Sequence, residues 1–268
     1  MKSGEPWSLD EHLDRIQAAY EEEKLDRAAK HLGRALKMFP GEPALIEWEA
    51  ILRFASGDAE GALESAEALL AAEPGDAWAL RFRTEMLVEL GSFEEALEEL
   101  DALEKAGWRG ETADEEADFR SDRAMCLDRL GRAEEADREF REAARVHPEE
   151  HPVPLRLSQE RFEELVSSAI GSIPAELSSY LAQVMVVVRD YPGPDDPGPW
   201  ILGVYSGVPR TERTQESRDN LDRIFIFKRS HETIGLDEAE LEEEVRKTVI
   251  HEIAHHFGFG EEDMGEYA

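Results

Sequence analysis

Apolar residues follow two different rhythms along this chain. Up to about residue 150 they recur three and four apart, the spacing of one helix face. "GSFEEALEELDAL" (91–103) and "GRAEEADREFREAARVHP" (131–148) show this best, and short helices arranged in pairs are expected there. "HPEEHPVPLRLSQE" (147–160) then interrupts the pattern with three prolines, which places a boundary near 151–157. In "SQERFEELVSSAIGSIP" (158–174), Ser158 can cap a helix whose Phe162, Leu165, Val166 and Ala169 share one face. Ile173-Pro174 starts a second short helical piece, running through Leu177 and Leu181.

The rhythm then changes. "VMVVVRDYP" (184–192) is β-branched and stops at Pro192, so it predicts a strand. "DYPGPDDPGPW" (190–200) is a loop, and "ILGVYSGVP" (201–209) is a second strand. "RTERTQESRDNLD" (210–222) is an exposed polar loop. In "RIFIFKRSHE" (223–232), Ile224 and Ile226 alternate with Phe225 and Phe227, which predicts a third strand. "DEAELEEEVRKTVIHEIAHHF" (237–257) is a long helix with its acids early, as the helix dipole favours. Val245, Val249 and Ile253 form a stripe that would anchor it to the sheet. The expected fold is two domains: an all-α repeat array over 1–153 and a small α+β unit over 154–268.

The array has a register. Gly57 and Gly91 lie 34 residues apart, as do Ala62 and Ala96, and Pro40 and Pro74. A further copy carries Gly131, Ala136, Phe140, Ala143 and Pro148, shifted by an insert expected at 107–116. The earliest copy has Ala28, Leu32, Ala35 and Pro40 at matching offsets. Glycine relieves the tight turn between two helices, alanine lets helices cross closely, and proline follows the second helix, which it cannot continue. Over about residues 8–150 the sequence resembles the tetratricopeptide repeat family. Two positions depart from it: the third unit lacks its closing proline and runs into Gly107-Trp108, and the first has Glu23-Lys24 in place of the turn glycine. The resemblance implies a scaffold that recruits a protein or peptide partner. Arg81 and Arg83 are candidate partner-facing residues, although solvation explains them equally well.

Composition narrows the partners. The 268 residues are 41% hydrophobic and 34% charged, with a formal net charge of −32. Such a surface repels nucleic acid and anionic membranes. One cysteine, Cys126, excludes an intramolecular disulfide and a cysteine-rich zinc site. The N-terminus has no apolar signal-peptide core, and no apolar run is long enough to span a bilayer, so a cytoplasmic location is expected.

The candidate chemistry sits near the end, in His251-Glu252-Ile253-Ala254-His255. On a helix, the histidines of HExxH stack four apart on one face and can share one Zn²⁺, while Glu252 can act as general base. Gly258 can end the helix in a left-handed cap, so that the chain turns back toward the metal. Glu261 is the first candidate for a third ligand. Asp263 and Glu262 are alternatives, and the remaining options are His231, His256 or no third protein ligand. His256 points about 100° away from His255 and is expected to be a supporting polar residue. The ligand types alone do not separate zinc from other divalent metals.

The second half resembles the bacterial minimal-zincin family, small zincin-like metallopeptidase domains with HExxHxxGxxD. The resemblance runs through "FEELVSSAIGSIP" (162–174), "VMVVVRD" (184–190), "LGVYSGVPRTERT" (202–214), "DRIFIFKR" (222–229) and "VRKTVIHEIAHHFGFGEEDM" (245–264). It implies a short mixed sheet beside the HExxH helix, one Zn²⁺ per chain held by His251 and His255, and Glu252 as the base. The family's aspartate falls on Glu261, one methylene longer; if Glu261 cannot reach the metal, Asp263 or water completes the shell. Tyr205, Arg210 and Arg213 are candidates for the cleft, Tyr205 as an oxyanion donor or as a core residue, and "SGVP" as the lining of an edge groove. The expected function is zinc-dependent peptide hydrolysis with partner recruitment by the repeats. The alternatives are an adaptor with a weakly active or structural zinc domain, and a zinc hydrolase of a non-peptide substrate.

Overall fold

The structure, a computed structural model, describes residues 7–110, 112–174, 181, 184–212 and 222–260. The chain falls into two compact units, Met1–Trp108 and Arg109–Ala268. The boundary expected at 153/154 lies inside the second unit, where a further helical pair belongs to the same compact body as the sheet.

In the first unit the helices are α1 (Leu9–Glu21), α2 (Leu25–Met38), α3 (Pro43–Ala55), α4 (Ala59–Ala72), α5 (Ala77–Glu89) and α6 (Phe93–Lys105). They pair as the repeat register requires. Ala28, Ala35, Ala62, Ala66 and Ala96 are fully buried where helices cross. Gly57 and Gly91 take left-handed φ values of 83° and 76°. The succeeding backbone closes each helix the same way: Gly57 N–H donates to Phe54 O and Asp58 N–H to Arg53 O, at 2.8 and 2.9 Å. Gly107, φ 86°, ends α6 in this way where the proline is missing. Arg83 is held inside the array, 2.9 Å from Glu95 and 2.5 Å from Glu99.

The second unit opens with α7 (Ala113–Arg129) and α8 (Ala133–Ala143), joined through left-handed Gly131, and continues into α9 (Gln159–Gly171). Ser158 caps α9, accepting from Arg161 N–H at 3.1 Å. Then come β1 (Val184–Arg189), β2 (Gly203–Ser206), β3 (Asp222–Phe227), α10 (Lys228–Glu232) and α11 (Glu238–Phe257). Among the described residues the sheet order is β1-β3-β2, with β1 parallel and β2 antiparallel to β3. Phe162, Leu165, Val166 and Ala169 of α9, Ile224 and Ile226 of β3, and Leu241, Val245, Val249 and Ile253 of α11 make one core. Each of these side chains larger than alanine contributes about 1.5–3 kcal/mol by leaving water. Phe225 and Phe227 are buried as well, so β3 is covered on both faces.

The third strand is shorter than the sequence pattern suggests. It ends at Phe227, and Lys228–Glu232 turn into a helix in which Lys228, Ser230, His231 and Glu232 are buried. Glu232 compensates its burial by accepting from Lys228 Nζ at 2.6 Å and Leu157 N–H at 2.8 Å. The helical piece expected after Ile173 lies largely outside the described residues, as does most of the polar loop. Of that loop, Arg210–Glu212 form a 3-10 turn.

Candidate metal centre

α11 brings the motif together. Asp237 and Glu240 form a capping box at its start, and Gly258, φ 92°, closes it in the left-handed conformation. A side chain at Gly258 would also collide with Thr211, so glycine is required twice over. The buried stripe Leu241, Val245, Val249 and Ile253 fixes the helix rotation and turns His251 and His255 toward a cleft of about 770 Å³.

The two histidine rings meet nearly edge to face, with Nε2 of His251 and Nε2 of His255 3.1 Å apart. Two nitrogens about 2.0–2.1 Å from one tetrahedral zinc are roughly 3.3 Å apart, so the pair fits a shared metal. His255 Nδ1 lies 3.0 Å from Phe259 O. With the proton on Nδ1 donated to that carbonyl, the Nε2 lone pair faces the cleft, the usual orientation of a metal-ligating histidine. Among the described residues no third His, Cys, Asp or Glu gathers with them. Glu261, Glu262 and Asp263 lie outside the described residues.

Glu252 is buried and faces β2. A Cβ on Gly203 would stand 3.0 Å from Glu252 Cγ, 3.2 Å from its Oε1 and 2.7 Å from Thr248 Cγ2. The missing side chain is what lets the strand cross the base so closely. The isolated glycine inside "ILGVYS" was a readable sign of such an approach. Phe227 N–H donates to Leu202 O at 2.8 Å, and antiparallel alternation from that bond turns the Gly203 backbone N–H and C=O to the outer edge of β2.

The other candidates separate. Tyr205 is half-buried, lines the cleft and packs against the core and the His256 ring. Arg210 is exposed on the 3-10 turn, and Arg213 lies outside the described residues. His256 is buried away from the histidine pair, with Nδ1 2.9 Å from Oδ2 of buried Asp222. His231 is fully buried against Phe162; its Nδ1 lies 2.8 Å from Phe227 O and its Nε2 3.1 Å from the Thr248 hydroxyl. Burial pushes its pKa down to about 4, so the ring is neutral, and its Nδ1–H donates to the Phe227 carbonyl. His231 braces α11 through Thr248, and His256, on α11 itself, meets Asp222 at the start of β3; sequence reasoning identified neither partner.

Residues 181–268 match the family model of zincin-like metallopeptidases. Two tetratricopeptide repeat models match, one over 53–107 and one over 13–77 and 86–151. No curated protein matches the chain significantly. Similar solved structures include a tetratricopeptide repeat protein from Parabacteroides merdae, 15% identical, over 99% of this chain and 85% of that one, with a TM-score of 0.49. MamA from Desulfovibrio magneticus is 17% identical over 52% of this chain and 76% of its own, with a TM-score of 0.44. A thermophilic repeat protein from Thermus thermophilus is 23% identical over 52% and 75%, with a TM-score of 0.43. Among the described residues no helix is long and apolar enough to cross a membrane. The chain thus carries a domain of the zincin-like metallopeptidase family at its C-terminal end, preceded by tetratricopeptide repeats that are suited to recruiting a protein or peptide partner.

Proposed function

We propose that this chain works by recruitment: its repeats take up a protein or peptide, and its zincin-like domain hydrolyses a peptide bond with zinc as cofactor. The observation that carries the reading is the convergence of the His251 and His255 Nε2 atoms, 3.1 Å apart, on a cleft where buried Glu252 lies against Gly203. His251 and His255 would hold the metal, with Glu261 as the expected third ligand and Asp263 as its substitute. A bound zinc ion supplies Lewis acidity toward water and a carbonyl oxygen. Glu252 would take the proton from the attacking water and pass it to the leaving amine. The outward Gly203 backbone offers one donor and one acceptor to an extended peptide lying along β2. Tyr205 stands in the same cleft, where a hydroxyl donor would favour the developing oxyanion.

The second reading is an adaptor whose zinc domain is structural or weakly active. In its favour, the repeat matches cover more of the chain than the zincin-like match. The two readings part on one substitution. With zinc supplied, wild-type protein should cleave an internally quenched peptide, and Glu252→Gln should lower the rate at least about a hundredfold while zinc content stays unchanged. Equal, trace rates in both proteins would leave the adaptor.

A further inference from the structure

The cleft has a wall that no regular element supplies. Residues 190–202 run without helix or strand from β1 to β2, and Pro197, Ile201 and Leu202 of this stretch line the cleft. A loop of this length holds one shape only if its entropy is offset by anchors. Its prolines help, and Gly193 N–H donates to Asp196 Oδ2 at 2.7 Å. At its start, Arg229 N–H donates to Asp190 O at 2.9 Å.

Further anchors come from the end of α7, a repeat helix. The Tyr191 hydroxyl donates to Asp128 Oδ2 at 2.5 Å. Burial first, and then the carboxylate itself, push that phenol well above its ordinary pKa, so it stays a donor. The Asp128 side chain is fully buried and also receives Arg229 at 2.8 Å and Arg156 at 3.0 Å. Next to it, the Arg129 guanidinium carbon lies 4.1 Å from the Tyr191 ring centroid and 4.8 Å from that of Trp200. One cation therefore grips both ends of the proline-rich stretch, within the range of a cation–π contact.

We propose that Asp128 and Arg129 are positioning residues for the cleft: α7, the first helix of the last repeat pair, holds the 190–202 loop in place as the wall against which a peptide lies. The inference deepens the reading of the cleft as a peptide site and rests on it. The α7–α8 pair then belongs to the working unit of the zincin-like domain as well as to the repeat array.

The test uses the full chain with Arg129→Gln, Arg129→Lys and Tyr191→Phe. Amide hydrogen exchange over 190–202 should speed up about tenfold in Arg129→Gln and Tyr191→Phe, and stay near wild type in Arg129→Lys, which keeps a cation over the rings. Exchange in 238–257 should not change. In zinc-loaded protein, a hydrophobic dipeptide hydroxamate should bind several-fold more weakly to Arg129→Gln, while acetohydroxamate, which lacks the peptide end, should bind as before. Unchanged exchange over 190–202 overturns the proposal, as does an equal rise throughout 109–268 or an equal loss of both hydroxamates. If neither hydroxamate binds wild type, the peptidase reading fails, and the exchange data still decide whether α7 holds the wall.

Discussion

Gly203 has no side chain because none fits between β2 and the base. Gly203→Ala puts a carbon 2.7 Å from Thr248 Cγ2 and 3.0 Å from Glu252 Cγ. It should cost about 1–3 kcal/mol in thermal unfolding and displace the carboxylate. Stability and peptide cleavage equal to wild type would contradict the close approach. His231 carries a pH dependence of known sign. Its pKa of about 4 lies below the unfolded value of 6.5, so the unfolded chain binds the extra proton first. The resulting loss of stability begins as pH falls through 6.5 and is complete near pH 4. Between pH 7 and pH 5 wild type should lose about 2 kcal/mol more than His231→Gln. Equal losses would show that the buried ring does not resist protonation. Hydropathy did not reveal this residue's role, because a histidine buried against Phe162 and Thr248 reads as a polar strand end.

At the scale of elements, the repeat register was legible because it rests on backbone conformation. Glu23 occupies the position of Gly57 and Gly91 and adopts the same left-handed turn, φ 58°. Lys24 N–H donates to Ala19 O at 2.9 Å, closing α1 as Asp58 N–H closes α3. A glutamate there is strained, so Glu23→Gly should stabilise the first helical pair by about 0.5–1 kcal/mol. Amide exchange in α1 and α2 should slow about threefold, and faster exchange would contradict the strain. The HExxH helix was equally readable, from its early acids, its stripe and its closing glycine. Strand β3 was read too long, since the alternation Ile224–Phe227 does not show that Lys228–Glu232 find buried partners. Those partners, Leu157 among them, are distant in sequence. Arg83, a candidate for partner contact, is tied to Glu95 and Glu99 by the same kind of long-range pairing.

At the scale of the whole molecule, the sequence carries a net charge of −32 over two kinds of architecture. That charge disfavours polyanionic partners. Composition marked the Pro-rich stretch near 151–157 as a boundary. In the folded chain this stretch lies within the second compact unit, where Arg156 pairs with Asp128 and Asp137 of the last helical pair. No local pattern announces such ion pairs. The central claim is that His251 and His255 hold a zinc ion for Glu252 to work beside. Zinc content of the purified full chain, wild type against His255→Ala, tests it most directly. The prediction is about one zinc per chain in wild type and little in the variant. Wild-type protein that takes up no zinc when supplied with it, or a variant that keeps the wild-type content, would contradict the claim.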